Sequence, residues 1–210
     1  MRNKLGTICI LLGIVLLLGA GLLLRHNSQE DTQAAQASGE ILPQLVQEIE
    51  QRQETLPTGP DPVIPNAPAH LLTPEEVEMP EAELNGNRYI GYLVIPKLEL
   101  ELPVLSEWSY MLLFTAPCRY TGTLLGEDLT IMAHNYNSHF GKLGQMEEGD
   151  EVIFVDVNGK VTRYAVTATD VLLPIAVEEV TGGAYDLTLF TCTFSGSNRT
   201  TLRCERVEDR

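Results

Sequence analysis

The chain has 210 residues, an apolar fraction of 44% and a formal net charge of −15 at pH 7, and this length fits one folded domain with attached segments. A surface this acidic repels phosphate groups, which excludes nucleic acid as an expected partner. The four histidines and four cysteines show no zinc-type spacing, so we predict no metal and no other cofactor.

The first predicted element is an apolar helix over residues 5–24, which contain no charge and are numerous enough to cross a bilayer. Arg2 and Lys4 precede it and place the N-terminal tail in the cytoplasm by the positive-inside rule. A cleaved signal peptide would have a shorter apolar core and a small-x-small site close behind. We therefore predict that residues 1–25 form a tail and an uncleaved single-pass anchor, with the rest of the chain outside the cell membrane.

Residues 26–86 are predicted to form an extracellular stalk. Residues 26–39 are rich in Gln, Ala and Ser, a composition typical of a disordered spacer. Apolar residues then recur at helical spacing, which predicts a short amphipathic helix over residues 41–54 that belongs to the stalk. Seven prolines between residues 57 and 80 indicate an extended linker.

From residue 87 to residue 210 the pattern changes to short β-rich runs. Asn158-Gly159 lies between two of these runs and predicts a hairpin turn. About eight strands with few helical segments indicate an all-β domain built as a closed or nearly closed barrel. The runs before the C-terminal hairpin cover residues 89–95, 98–104, 128–133, 151–157 and 161–168, the last extending toward residue 174.

The last two predicted strands carry the candidate chemistry. An apolar and β-branched strand over residues 187–191 ends at Cys192, and a polar turn over residues 195–198 leads to Arg199. A hairpin would bring the guanidinium of Arg199 near the sulfur of Cys192. A cation near a thiol favours the nucleophilic thiolate, so both residues are candidate catalytic groups.

These features together resemble the sortase family, the membrane-anchored cysteine transpeptidases of mostly Gram-positive bacteria. The similar positions are T-L-F-T-C at residues 188–192, Arg199 seven positions after the cysteine and His134 58 positions before it. Residues 89–104 also resemble the paired opening strands of a sortase barrel. The resemblance extends over roughly residues 88–207 and implies an eight-stranded barrel.

The resemblance also implies a reaction and its partners. Cys192 would cleave an LPxTG-like sorting signal of a secreted protein after its Thr and keep the chain as a thioester. An amine, from a cell-wall precursor or a pilin lysine, would then resolve the thioester. His134 would supply a positive charge or exchange the proton, and Arg199 would stabilise the oxyanion. Thr191 is expected to pack beneath Cys192 and contact the substrate.

Several alternatives remain open at this stage for the site residues. His139 competes with His134. Arg203 and Arg206 compete with Arg199, although Arg203 is also placed to hold an acidic partner. Cys118 and Cys204 form either a disulfide or two buried free thiols. The alternatives for the histidines, arginines and cysteines all depend on residue type and position alone.

Two alternatives to the transpeptidase also remain open. The first is a cysteine peptidase, in which water resolves the same thioester. The second is a non-catalytic, membrane-tethered β-barrel that binds peptides. Pilus-building sortases often carry an Asp-Pro-aromatic lid motif, whereas Asp61-Pro62 is followed here by Val63, so no blocking lid is expected.

Overall fold

The structure, a computed structural model, describes residues 2–55 and 79–207. Within these residues the chain forms one long α-helix, α1 (Arg2–Thr55), nine strands and one short α-helix, α2 (Val177–Thr181). Three short 3-10 helices cover Pro96–Leu98, Leu112–Phe114 and Leu143–Gln145. The strands are β1 (Ala82–Leu84), β2 (Asn87–Ile95), β3 (Leu100–Leu105), β4 (Cys118–Thr121), β5 (Leu129–Met132), β6 (Glu151–Asp156), β7 (Val161–Leu172), β8 (Leu187–Cys192) and β9 (Arg199–Arg206). Most of the proline-rich linker, including Asp61-Pro62-Val63, lies outside the described residues.

Eight of the described strands form a closed barrel. They neighbour one another in the order β2-β3-β4-β5-β8-β9-β7-β6, and β6 pairs with β2 to close the ring. Closure leaves no unpaired sheet edge within the ring. The prediction of an eight-stranded all-β barrel is confirmed, and β1 adds a ninth strand beside β2 that begins before the predicted boundary at residue 87.

Alternate residues of each strand fill the barrel interior. Leu93, Ile131, Phe154 and Leu202 are fully buried in one continuous apolar cluster, as the two-residue period of a strand requires. The ring closes at Gly91, whose φ of +146° is open mainly to glycine. A Cβ at Gly91 would lie 2.0 Å from the carbonyl oxygen of Val155, so no larger residue fits between β2 and β6.

Helix α1 is continuous and packs along the outside of the barrel, which corrects the predictions of a disordered spacer and a separate short stalk helix. Its buried residues recur every three or four positions and so share one face; they are Ala34, Ser38, Ile41, Leu45 and Ile49. The last three form a second apolar cluster with Tyr89, Leu105 and Leu113 of the barrel side. Gln, Ala and Glu between these positions are good helix formers, which explains the continuity.

The N-terminal half of α1 is long and apolar enough to cross a membrane. Within the part of the chain that the structure describes, no share of its most apolar 18-residue window is buried, and leucines such as Leu17 and Leu23 are more than 70% exposed. By length and composition, this half of α1 agrees with the predicted anchor.

Replacement of Leu45 by Ala should lower the free energy of unfolding by about 3 kcal/mol, because the fully buried side chain would leave a cavity between α1 and the barrel. Urea unfolding of the detergent-solubilised chain measures the effect. Gln47→Ala, at an exposed position of α1, is the control and should change stability by less than about 0.5 kcal/mol. Equal unfolding midpoints for the two variants would contradict the docking of α1.

The disulfide considered between Cys118 and Cys204 does not form, and both are buried free thiols. Cys118 belongs to the cluster beneath α1, whereas Cys204 belongs to the barrel interior. The two sulfurs therefore lie on opposite faces of the barrel wall. Burial raises the pKa of each thiol to about 12, which keeps both of them protonated and poorly reactive.

Candidate active site

Cys192 and Arg199 occupy directly opposed positions on neighbouring strands. Cys192 ends β8, Arg199 begins β9, and the two residues are register partners in the antiparallel ladder. Side chains of directly opposed residues project from the same face of a sheet. The hairpin predicted from the sequence thus brings the guanidinium and the thiol to one side of the barrel wall.

His134 is placed by the parallel pairing of β5 with β8. Met132 is the register partner of Phe190, and the amide of Ala133 donates to the Phe190 carbonyl over 3.2 Å. His134 and Cys192 each lie two residues beyond this pair, so both continue on the same face. His134, Cys192 and Arg199 consequently line one cleft.

The cleft lies on the outer face of the barrel wall and has a volume of about 210 Å³. The β3–β4 connection forms one side and the β7–β8 connection, which contains α2, forms the other. Its lining is largely aromatic and aliphatic and includes Trp108, Tyr110, Tyr120, Leu173, Val177 and Phe190. A cleft of this kind suits an apolar peptide segment that approaches Cys192.

The imidazole of His134 packs near two aromatic rings. The ring centroids of Phe114 and Tyr136 are each 4.9 Å from that of the imidazole. Burial lowers the pKa of His134, while the carboxylate of Glu30 on α1 acts in the opposite direction. The Nε2 atom of His134 is buried and has no hydrogen-bond partner among the described residues, so it can accept or donate a proton in a complex with substrate.

Hydrogen bonds to the preceding loop hold the guanidinium of Arg199 in position. Its Nη1 atom donates to the carbonyl oxygens of Gly196 over 3.3 Å and Asn198 over 3.1 Å. Within the described chain these contacts use one nitrogen of the guanidinium, and Nε and Nη2 keep N–H groups for a ligand. The arrangement can stabilise a negative oxygen that develops beside Cys192.

The rival residues have structural partners elsewhere. His139 is fully buried, its Nε2 lies 3.3 Å from the Ser38 hydroxyl of α1, and burial lowers its pKa to about 4. Arg203 is 4% exposed and pairs with Asp170 over 3.4 Å, which agrees with the acidic partner expected for it. Arg206 pairs with Glu127 over 3.2 Å, and neither arginine lines the cleft with Cys192.

Thr191 connects the two strands that carry the histidine and the cysteine. Its side chain is almost fully buried, and its hydroxyl donates to the Ala133 carbonyl oxygen over 2.8 Å. This bond fixes β5 against β8 one residue before His134 and Cys192. Thr191 also lines the cleft, and its contact with substrate stays a prediction.

Helix α1 fastens the loop that follows His134, a connection that sequence reasoning missed. The Asp31 carboxylate accepts hydrogen bonds from the Ser138 hydroxyl over 2.6 Å and the Ser138 amide over 2.9 Å. The Tyr136 hydroxyl donates to Glu30 over 3.4 Å. Burial acts to raise the pKa of Asp31, but the hydrogen bonds from Ser138 and Asn137 outweigh it and lower that pKa. More than 100 residues separate the partners in sequence, so no local pattern indicates the contact.

Replacement of Glu30 by Gln should lower the pKa of His134 further. The carboxylate stabilises the imidazolium by Coulomb attraction, and Gln removes the charge while it keeps an oxygen for Tyr136. An NMR pH titration of the His134 ring measures the shift. Glu40→Gln, at an exposed position of the same helix, is the control and should leave the titration unchanged. A rise in the pKa of His134 in Glu30→Gln would contradict this electrostatic account.

The acidic turn before β6 is held by a lysine. Lys97 lies 2.7 Å from carboxylate oxygens of both Glu147 and Asp150. Among the residues that the structure describes, no group of three or more His, Cys, Asp or Glu side chains is arranged to hold a metal ion.

Comparison with known proteins identifies the family. The family model described as the sortase domain matches residues 93–207, more than half of the chain. Sortase A of Bacillus anthracis is 30% identical over 125 residues, which cover 57% of this chain and 59% of that protein. This chain therefore matches about three fifths of the relative's length.

Solved structures share the fold. Sortase C of Streptococcus pneumoniae is 22% identical, with a TM-score of 0.57 over 81% of this chain and 97% of that one. Clostridium perfringens sortase C, solved with the C-terminal cell wall sorting motif, is 20% identical, with a TM-score of 0.53 over 81% of this chain and 91% of that one. The match of the family model over residues 93–207, on a barrel of the same fold, means that the chain belongs to the sortase family.

Proposed function

We propose that this protein is a cysteine transpeptidase that cleaves a sorting signal of the LPxTG kind after its Thr and transfers the acyl group to an amine. The observation that carries the proposal is the alignment of His134, Cys192 and Arg199 on one face of three neighbouring strands, β5, β8 and β9, at a single apolar cleft. A nucleophile, a proton-transfer group and a cation at one point are the parts that thiol acyl transfer requires.

The first half of the reaction forms a thioester. The thiol proton of Cys192 passes to the imidazole of His134. The resulting thiolate attacks the Thr carbonyl carbon of the bound peptide, and the carbonyl oxygen becomes an oxyanion beside the guanidinium of Arg199. The C–N bond then breaks, and the imidazolium of His134 gives its proton to the leaving amine. The acyl group stays on the sulfur of Cys192, and the C-terminal fragment leaves.

The second half reverses the roles. An incoming amine attacks the thioester carbonyl, Arg199 again stabilises the oxyanion, and the proton lost by the amine passes to His134. The C–S bond breaks, the new amide leaves, and the thiolate of Cys192 is regenerated. Water can replace the amine, and slow hydrolysis is the side reaction.

The lining of the cleft favours the apolar part of such a signal. Leu173, Val177 and Tyr110 offer aliphatic and aromatic surface beside Cys192, which suits the Leu and Pro side chains of an LPxTG-like peptide. The C. perfringens sortase C of the same fold was solved with a cell wall sorting motif, which supports the same ligand class here.

The apolar half of α1 anchors the enzyme, and the barrel acts outside the cytoplasmic membrane. Arg2 and Lys4 at the start of α1 support a cytoplasmic N-terminus. The acyl donors are secreted proteins with a C-terminal sorting signal. The amine belongs to a cell-wall precursor or to a pilin lysine.

Product analysis with and without an amine tests the function. The detergent-solubilised full chain is incubated with LPxTG-type peptides, alone and with triglycine or a lysine-containing peptide as acceptor. A new amide product that forms only with the acceptor is the expected result. Hydrolysis that no acceptor diverts would indicate a peptidase, and an unchanged peptide with an unreactive Cys192 would indicate a peptide-binding barrel.

A further inference from the structure

Successive residues of α1 contact the barrel from one of its ends to the other. Asp31 bonds Ser138 in the loop beside the active site, and Ser38 lies beside His139. Near the C-terminal end of the helix, Gln53 donates to the Gly159 carbonyl in the β6–β7 turn over 3.3 Å. The chain order along α1 therefore runs from the active-site end of the barrel to the opposite end, and the apolar half of α1 projects from the active-site end.

The distance from the apolar half to the active site is short. Leu24, the last residue of the uncharged run, lines a second cavity that also contains Cys192 and Phe194. The rise from Leu24 to Asp31 along a helix is about 10 Å. A headgroup layer adds roughly 5–8 Å to each side of the hydrocarbon core. If residues 5–24 span that core, Asp31 lies just outside the headgroup layer. Cys192 and Phe194 line one cavity with both Leu24 and Asp31 and therefore face the headgroups.

Phe194 is the apolar side chain best placed to meet the lipid. It is 93% exposed in the β8–β9 loop, and residues 193–198 of that loop carry no charge. A single exposed aromatic residue is common on protein surfaces. What distinguishes Phe194 is its position in one cavity with Leu24, because an uncharged loop at that level can enter the interface without desolvating a charge.

We propose that the barrel docks on the bilayer through its active-site end and that Phe194 inserts among the lipid headgroups. The proposal rests on the proposed membrane anchoring of α1. The chain carries a net charge of −15, which an anionic membrane repels, so the contact is apolar and does not depend on lipid charge. In this orientation, acyl donors and amines that are themselves tethered to the membrane reach Cys192 along its surface.

Fluorescence quenching by brominated lipid tests the orientation. Trp108, the single tryptophan of the chain, is replaced by Phe, and a new tryptophan is introduced as Phe194→Trp or, for comparison, Val161→Trp. Val161 is 50% exposed and begins β7 at the opposite end of the barrel. The full chain is reconstituted in phosphatidylcholine vesicles with bromine on the acyl carbons nearest the headgroup, and reconstitution is checked by flotation.

The expected result is at least about a twofold loss of fluorescence for Phe194→Trp, at the depth of the interface, and no loss for Val161→Trp. Equal emission of both variants in brominated and ordinary lipid would overturn the docking. Quenching of both variants would overturn the stated orientation. A chain that fails to float with the vesicles would overturn the anchoring itself, whereas a floating chain without quenching refutes the docking alone, and neither readout depends on catalysis.

Discussion

Exchange of His134 for Gln should lower the rate of acyl transfer by about 10³-fold. The imidazole lines the cleft that holds Cys192, and its buried Nε2 has no hydrogen-bond partner in the part of the chain that the structure describes. Gln cannot exchange a proton there. Because the ring packs near Phe114 and Tyr136, a side chain of similar length keeps much of this packing. The measurement is kcat/KM with an LPxTG-type peptide and an excess of amine.

His139→Gln is the matched control within the same loop. His139 is fully buried against Ser38, so its replacement should lower the melting temperature while the folded fraction keeps its rate within about tenfold. A rate loss in His139→Gln as large as that in His134→Gln would remove the assignment of proton transfer to His134.

Exchange of Arg199 for Met should lower kcat/KM by about 10²- to 10³-fold, the usual loss when one donor to an oxyanion is removed. Arg199 makes its contacts to carbonyl oxygens of its own loop, so the fold should tolerate the change. Arg199→Lys retains the charge without the planar fork of donors and should fall between wild type and Arg199→Met. Steady-state kinetics of the three proteins measures the series.

Arg203 supplies the contrasting variant on the same strand. Its guanidinium is buried and bonds Asp170, Thr188 and the Val180 carbonyl oxygen. Arg203→Met should therefore lower the free energy of unfolding by about 3 kcal/mol and leave the rate per folded molecule near that of wild type. If Arg203→Met abolished transfer in folded protein while Arg199→Met retained it, the two arginines would have to exchange roles.

The strand pattern and the hairpin at Cys192 could be predicted because both depend on local chemistry. The two-residue period and the turn residues specify which runs are strands. Opposed positions on a hairpin follow from loop length, which brought Cys192 and Arg199 together in the prediction as in the structure. The pairing of β5 with β8 is not local, and the position of His134 followed from the resemblance to sortases.

The docking of α1 could not be predicted from the same patterns. Two of its buried positions are Ala34 and Ser38. Both side chains are small, so they continue the buried face of α1 without adding a strong hydrophobic signal to the sequence. Its contacts with Tyr136 and Ser138 are polar and join distant parts of the chain. A composition rich in Gln and Ser is compatible with a disordered segment and also with a helix that has a surface to pack on. Packing against the barrel stabilises the helix here, and this packing is not visible in the local sequence.

The disulfide hypothesis was wrong for a related reason. The sequence shows that Cys118 and Cys204 lie outside the apolar segment of residues 5–24, but it does not show which face of the barrel wall each sulfur occupies. The structure places Cys118 under α1 and Cys204 inside the barrel. The sequence does not reveal that α1 covers the outer face of the barrel at Cys118. It therefore gives no sign that a thiol on that face is buried.

Helix α1 thus joins the apolar segment of residues 5–24 to the loop after His134 in one element. The same helix face that covers the outer cluster presents Glu30 and Asp31 to Tyr136 and Ser138. A change of α1 at Glu30 is therefore expected to act on His134, which the titration of Glu30→Gln measures separately from the reaction itself.

The most direct test of the account is the mass of the intact protein after a brief incubation with an LPxTG-type peptide and no amine. A thioester at Cys192 predicts an added mass equal to the acyl portion of the peptide up to its Thr, located on Cys192 and lost when an amine is supplied. Cys192→Ala should gain no mass. An adduct that persists in Cys192→Ala, or peptide cleavage by the wild type without any adduct on Cys192 at the shortest times, would contradict a thioester at this residue.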